Sequence, residues 1–164
     1  TEEAARRLGL HVEPFDGPSA PRRLDLAVDG ADQVAPDGWL VKGGGGAHTR
    51  EKVVAASADR FVVVVDATKL VEALHPPLPL ELLAFGLEAT LRRLAHVSRR
   101  DAPSTPDGGV LAFYTGALDD PGALAARLQA VPGVVDHGLF PPSMVDTVLV
   151  GRDGAAEQLV LADR

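Results

Sequence analysis

Two short runs bring together the residue types that move protons. Asp29-Gly30-Ala31-Asp32 sets two carboxylates three positions apart. Lys42-Gly43-Gly44-Gly45-Gly46-Ala47-His48-Thr49-Arg50-Glu51-Lys52 then offers an ammonium group, a tetraglycine and a third carboxylate. Glycine loses more backbone freedom on folding than any other residue, so a rigid tetraglycine needs a compensating reason. Close approach of backbone N–H groups to an anion is one. The carboxylates would supply acid–base groups around that anion. The chemistry implied is proton transfer on a small anionic molecule.

Each residue alone has an ordinary structural reading. Asp29 and Asp32 suit turns and caps. Lys42 suits a strand-end surface charge, Glu51 the first turn of a helix, and the glycines a flexible loop. Their order in one stretch is what argues for a site. Arg50 and Lys52 flank Glu51 but point elsewhere on a helix, so both read as structural. Asp66 reads as a loop-orienting residue, and His48 as a solvated loop residue near the site. The histidines show no metal-ligand pair at helical spacing. Arg92, Arg93, Arg99 and Arg100 read as a solvated face or subunit contact.

The elements that must position these groups follow from patterning. Residues 1–10 read as a helix ending at Gly9. Residues 24–28, 39–41 and 61–65 read as strands, and 47–58 as a helix. The β-branched run Phe61-Val62-Val63-Val64-Val65 suits a strand buried on both faces of a parallel sheet. Polar patches then fall at strand exits: Asp29 and Asp32, Lys42, and Asp66 with Lys69. Ligands of open α/β sheets bind outside the carboxyl ends of the strands, which merges the patches into one expected site. After His75-Pro76-Pro77 the pattern becomes strand 78–85, helix 86–97, a short strand near 98–100, strand 109–114, helix 121–130 and strand 134–140. That β-α-β-β-α-β order is ferredoxin-like. A final strand at 145–150 is expected to return to the first sheet. The fold class is therefore α/β: a Rossmann-like parallel sheet domain (1–75 and 145–164) with a smaller ferredoxin-like α+β lobe (76–144).

Composition sets the outer bounds. The chain has 164 residues and 46% hydrophobic content, enough for a buried core and against disorder. With no Cys, a disulfide framework, a thiolate metal site and a cysteine nucleophile are excluded. A net charge of −7 argues against nucleic-acid binding. No apolar run has the length of a membrane span, so a cytoplasmic protein without a membrane partner is the expectation.

The paired motifs resemble the ribose-5-phosphate isomerase type A family. Further stretches carry the likeness: Asp66-Ala67-Thr68-Lys69, Leu78-Pro79-Leu80-Glu81, Thr105-Pro106-Asp107-Gly108-Gly109 and Pro132 to Phe140. The resemblance implies interconversion of ribose 5-phosphate and ribulose 5-phosphate through an enediolate, without a metal or other cofactor. It implies Glu51 as the carbon base, with Asp29, Asp32 and Lys42 also catalytic. Substrate contacts would come from Asp29, Gly30, Ala31, Asp32, Lys42, Gly43, Gly44, Gly45 and Lys69, the last at the phosphate end. A homodimer or homotetramer is implied. Family members also begin with a strand and a Gly-Thr-Gly-Ser-Thr type loop that holds the sugar phosphate. The expectation here is an N-terminally incomplete first domain, consistent with an opening that lacks an initiator Met. Asp32-Gln33 stands where the family has Asp-Glu, and Gly108-Gly109 falls where it has an Asn-containing turn. The alternatives are a truncated, non-catalytic phosphosugar-binding remnant, a related acyl-CoA transferase with a glutamate nucleophile, and a carboxylate-bound divalent metal site.

Overall fold

A computed structural model describes residues 2–18, 20–152 and 154–159. Thr1, at the head of the expected first helix, and 160–164, at the end of the expected first domain, lie outside the described residues. The elements are α1 (Glu2–Arg7), β1 (Ala27–Asp29), β2 (Gln33–Val34), β3 (Leu40–Val41), α2 (His48–Ala56), β4 (Phe61–Asp66), β5 (Leu78–Leu82), α3 (Leu87–Leu91), β6 (Val97–Arg99), β7 (Val110–Tyr114), α4 (Pro121–Gln129), β8 (Val134–His137), β9 (Leu139–Phe140), β10 (Thr147–Arg152) and β11 (Ala155–Leu159).

Three sheets result. The first has the order β1-β4-β10-β11; β1, β4 and β10 are parallel, and β11 turns back antiparallel on β10. The expected final strand does return to this sheet. The lobe sheet, β6-β7-β5-β8, is antiparallel throughout and has the ferredoxin-like order. Between them lies a small antiparallel sheet, β2-β3-β9.

That small sheet corrects two expectations. The 39–41 strand is not part of the parallel sheet, so Lys42 does not sit at one of its exits. The expected strand 134–140 is broken at Gly138: β8 joins the lobe and β9 joins β3. A Cβ at Gly138 would collide with the Lys42 carbonyl oxygen, so the two backbones meet only because a glycine is there. The Lys42 amide donates to the Gly138 carbonyl at 2.9 Å, and the Gly138 amide donates to the Pro79 carbonyl at 2.8 Å.

Strand alternation makes the small sheet a wall between two cores. Leu40 and Phe140 face the core under the parallel sheet, with Phe61, Val63, Val148 and Ala55 of α2. Val41 and Leu139, one residue along, face the lobe core with Leu78, Leu80, Leu124 and Leu128. The β4 run is buried on one face only. Phe61, Val63 and Val65 are inside, while Val64 is 46% exposed and neighbouring Val28 59% exposed, so the described residues cover one side of this sheet. The expected helix at 86–97 shortens to Leu87–Leu91, about one turn and a half, and His96, at φ 57°, stands just before β6. Asp120 caps α4 through the Ala123 amide, with Pro121 in the first turn.

Candidate functional site

The loop after β1 and the loop after β3 approach each other because the β2–β3 hairpin folds the chain back; the Asp32 amide donates to the Val41 carbonyl at 2.8 Å. A cavity of about 220 Å³ opens where they meet, lined by Asp29, Gly30, Ala31, Asp32, Lys42, Gly43, Gly44, Gly45 and Glu51. Every candidate residue named from the sequence therefore borders one cavity except Lys69. Lys69 closes the 3-10 turn Ala67–Lys69 after β4 and is not among the lining residues. In that turn the Asp66 carboxylate accepts from the Thr68 amide at 2.8 Å, the loop-orienting arrangement expected of it.

Lys42 is the electrostatic centre. Its side chain is only 3% exposed, and its Nζ lies 3.0 Å from Asp29 Oδ2 and 3.3 Å from Glu51 Oε2. It also donates to the Gly30 carbonyl. Below it, Nζ stands 5.5 Å from the centroid of the Phe140 ring, a cation–π distance. The carboxylates differ in their fastening. Asp29 accepts from the Gly30 amide at 2.8 Å as well as from Lys42. Asp32 accepts from the Gly44 amide at 2.7 Å, which pins the glycine loop. Glu51 sits in the first turn of α2, half-buried. Burial pushes its carboxyl above the ordinary value of 4.5, Lys42 pulls it back, and Asp29 and Asp32 push it up further. An elevated carboxyl beside an ammonium group is poised to accept and return a proton.

His48 corrects an expectation. It is the first residue of α2 and fully buried, not solvated. Its ring fills the space where a Gly43 Cβ would stand: that atom would lie 2.6 Å from His48 Nδ1, and Gly43 has φ 101°. Gly43→Ala therefore meets both backbone strain and a collision. It is expected to cost about 1–3 kcal/mol of stability, read as a lower urea midpoint. An unchanged midpoint would show that the loop relaxes freely.

Several residues that border or support the site escaped the sequence reading. Lys52, read as structural, reaches the lobe and pairs with Asp136 at 2.6 Å. Glu81, 3% exposed, accepts from Thr49 of α2 and from Thr105 Oγ1 at 2.6 Å, tying α2 to the lobe. Phe140 seats Lys42. The stretches ending at Glu81 and Phe140 and the one opening at Thr105 carried the family likeness without revealing these contacts, and the Glu51-Lys52 adjacency hinted that neighbouring helical residues face different surroundings. Arg50 pairs with Asp107 at 2.6 and 2.8 Å on the surface. Arg92, Arg93 and Arg99 are exposed. Among the described residues, no cluster of three or more His, Asp or Glu could hold a metal ion, and no helix is long and apolar enough to cross a membrane.

A parallel α/β sheet, a ferredoxin-like lobe and a cleft of carboxylates around one ammonium define an α/β protein equipped for acid–base chemistry. The chain belongs to the ribose 5-phosphate isomerase A (phosphoriboisomerase A) family, whose model matches residues 1–155. It is 51% identical over 144 residues to ribose-5-phosphate isomerase A of Halobacterium salinarum strain R1, covering 79% of this chain and 62% of that protein. The chain thus spans under two thirds of that relative's length. The crystal structure of ribose 5 phosphate isomerase A from Neisseria gonorrhoeae superposes with a TM-score of 0.87 at 27% identity, covering 99% of this chain and 74% of the other. A D-ribose-5-phosphate isomerase in complex with phospho-erythronic acid superposes at 0.84 with 30% identity, covering 96% and 73%.

Proposed function

We propose that this chain carries the acid–base site of an aldose–ketose isomerase that interconverts D-ribose 5-phosphate and D-ribulose 5-phosphate through an enediolate. The observation that carries the reading is Glu51: a half-buried carboxyl with a raised pKa, 3.3 Å from a buried ammonium group, on the wall of a polar cavity. Family membership and the phosphorylated sugar acid named in a relative's complex support the substrate class.

In this reading Glu51 takes the proton from C2 of the open-chain aldose and returns it to C1. The electron pair from the C–H bond forms the C1–C2 double bond of the enediolate, and the negative charge moves onto the carbonyl oxygen. Lys42 stands where that charge develops. Asp29, beside Lys42, carries the hydroxyl proton between O2 and O1 and serves ring opening. Asp32 shares the cavity, and its bond to Gly44 holds the glycine loop in shape. The amides around Gly43 to Gly45 line the same space. Lys69 is assigned to the phosphate end, supported by the resemblance and by its place after β4, next to β1. A cytoplasmic homodimer or homotetramer completes the reading on the resemblance alone.

The test is an assay of the intact protein with ribose 5-phosphate in D2O. Ribulose 5-phosphate carrying solvent deuterium at C1 is expected, because the carboxyl exchanges its proton with solvent. Binding without turnover would instead favour the non-catalytic phosphosugar-binding reading. A glutamyl–CoA adduct would favour the transferase.

A further inference from the structure

We propose that Lys52 and Asp136 position Glu51, by locking the rotation of α2 against the segment that also holds Lys42. The inference rests on the reading of Glu51 as the base.

Successive residues of an α-helix diverge by about 100°, so Glu51 and Lys52 cannot face the same surroundings. Glu51 faces the cleft. Lys52 faces the lobe, on the same side of α2 as His48 four residues earlier. There its Nζ lies 2.6 Å from Asp136 Oδ1 and donates to the His137 carbonyl at 2.5 Å. Asp136 Oδ1 is held in turn by the His137 amide at 2.8 Å. The side chains are 18% and 12% exposed.

The same short segment grips Lys42. The Gly138 carbonyl accepts from the Lys42 amide at 2.9 Å. The Phe140 ring centroid lies 5.5 Å from Lys42 Nζ and 5.0 Å from Lys52 Nζ, so one aromatic ring seats both ammonium groups. Residues 136–140 are therefore the common reference for the helix that carries Glu51 and the strand end that carries Lys42. The 3.3 Å contact between Glu51 and Lys42 depends on both being registered to it.

Net stability alone gives little reason for this ion pair. Burial disfavours the Lys52 ammonium and holds its pKa below the ordinary value, and Asp136 offsets only part of that. An apolar pair of similar volume commonly holds a protein together as well or better. What an apolar pair lacks is direction: a 2.6 Å charged hydrogen bond fixes an angle, and greasy contact does not. The groups facing Lys52 are Asp136 and His137 of β8 and His48 of α2, and Glu81 of β5 acts in turn on His48. Burial holds both imidazoles below their ordinary pKa, His137 at about 4, so neither adds a cation near neutrality.

The experiment compares Lys52→Met, Asp136→Asn and the double variant Lys52→Met/Asp136→Leu with Glu51→Gln, all in the intact protein, by kcat, KM, pH profile and urea midpoint. A misplacement of a catalytic group by an ångström costs about 100-fold, so kcat should fall by up to about that factor in each single variant. KM should change little, because the substrate-facing loops are untouched. The acid limb of kcat should move to higher pH as Glu51 leaves the ammonium that holds its pKa down. The double variant should regain the urea midpoint but not kcat. Asp136→Asn keeps the side chain's shape, so it tests the idea even if Lys52→Met unfolds. Wild-type kcat in a folded single variant, or kcat recovering together with stability in the double, overturns the proposal. Full turnover by Glu51→Gln would instead remove the reading of Glu51 itself, whereas an inactive Glu51→Gln beside a fully active Lys52→Met removes only the positioning role.

Discussion

Replacing Glu51 by Gln should lower kcat by roughly 10²–10⁴-fold while leaving the fold intact, the range expected for loss of a general base. Gln keeps the shape and part of the polarity of the side chain, so the 220 Å³ cavity survives; what disappears is the basic oxygen. The pH dependence carries the same information. The base must be ionised, so wild-type activity is lost as pH falls through the Glu51 pKa, and burial places that limb above 4.5. Stability runs the other way. A carboxyl whose folded pKa is raised binds its proton more tightly in the native state than in the unfolded chain. Its ionisation therefore costs stability, progressively, as pH rises from 4.5 through the folded value. Glu51→Gln removes that cost, so the variant should match or exceed wild type in urea midpoint at pH 7. A Glu51→Gln protein with near-normal turnover would reject the assignment.

The second large effect is expected at Lys42. Lys42→Met keeps an unbranched side chain of similar length and removes the charge that stands over Phe140. Loss of a positioned oxyanion stabiliser costs about 10²–10³-fold in kcat. The attraction that lowers the Glu51 pKa goes with it, while repulsion from Asp29 and Asp32 stays. The acid limb of the pH–rate profile should therefore shift upward, a change Glu51→Gln cannot imitate. Breaking a buried ion pair costs roughly 3–5 kcal/mol when the remaining charge is trapped. Here the loss should be smaller, because Asp29 is 43% exposed and Glu51 26% exposed, so water solvates both. Kinetics across pH 4 to 8 would measure it, and an unmoved limb would show that Lys42 does not act on Glu51.

The site was more legible than the frame that builds it. Asp29, Asp32, Lys42 and Glu51 are close in sequence, and short loops can bring such residues together without help from the rest of the chain. The frame depends on distant partners. Residues 39–41 read as one more parallel strand, since a short apolar run has no period that reveals its neighbours. Only pairing with residues 139–140, a hundred positions away, decides that it lies in the small antiparallel sheet. His48 read as solvated because it follows a glycine loop; the lobe that covers it comes from residues 78–137.

What the sequence determined by itself was local: a glycine-rich turn entering a helix, carboxylates at fixed offsets from it, a β-branched strand, and the β-α-β-β-α-β order of the lobe. These rest on backbone freedom, side-chain period and short-range charge, all carried by neighbouring residues. What only the tertiary structure decided was the surroundings of each group. Glu51 faces Lys42 while Lys52 faces Asp136, and Phe140 seats both lysines. Burial and through-space Coulomb fields set those relations, and both depend on distances across the fold that spacing along the chain does not encode.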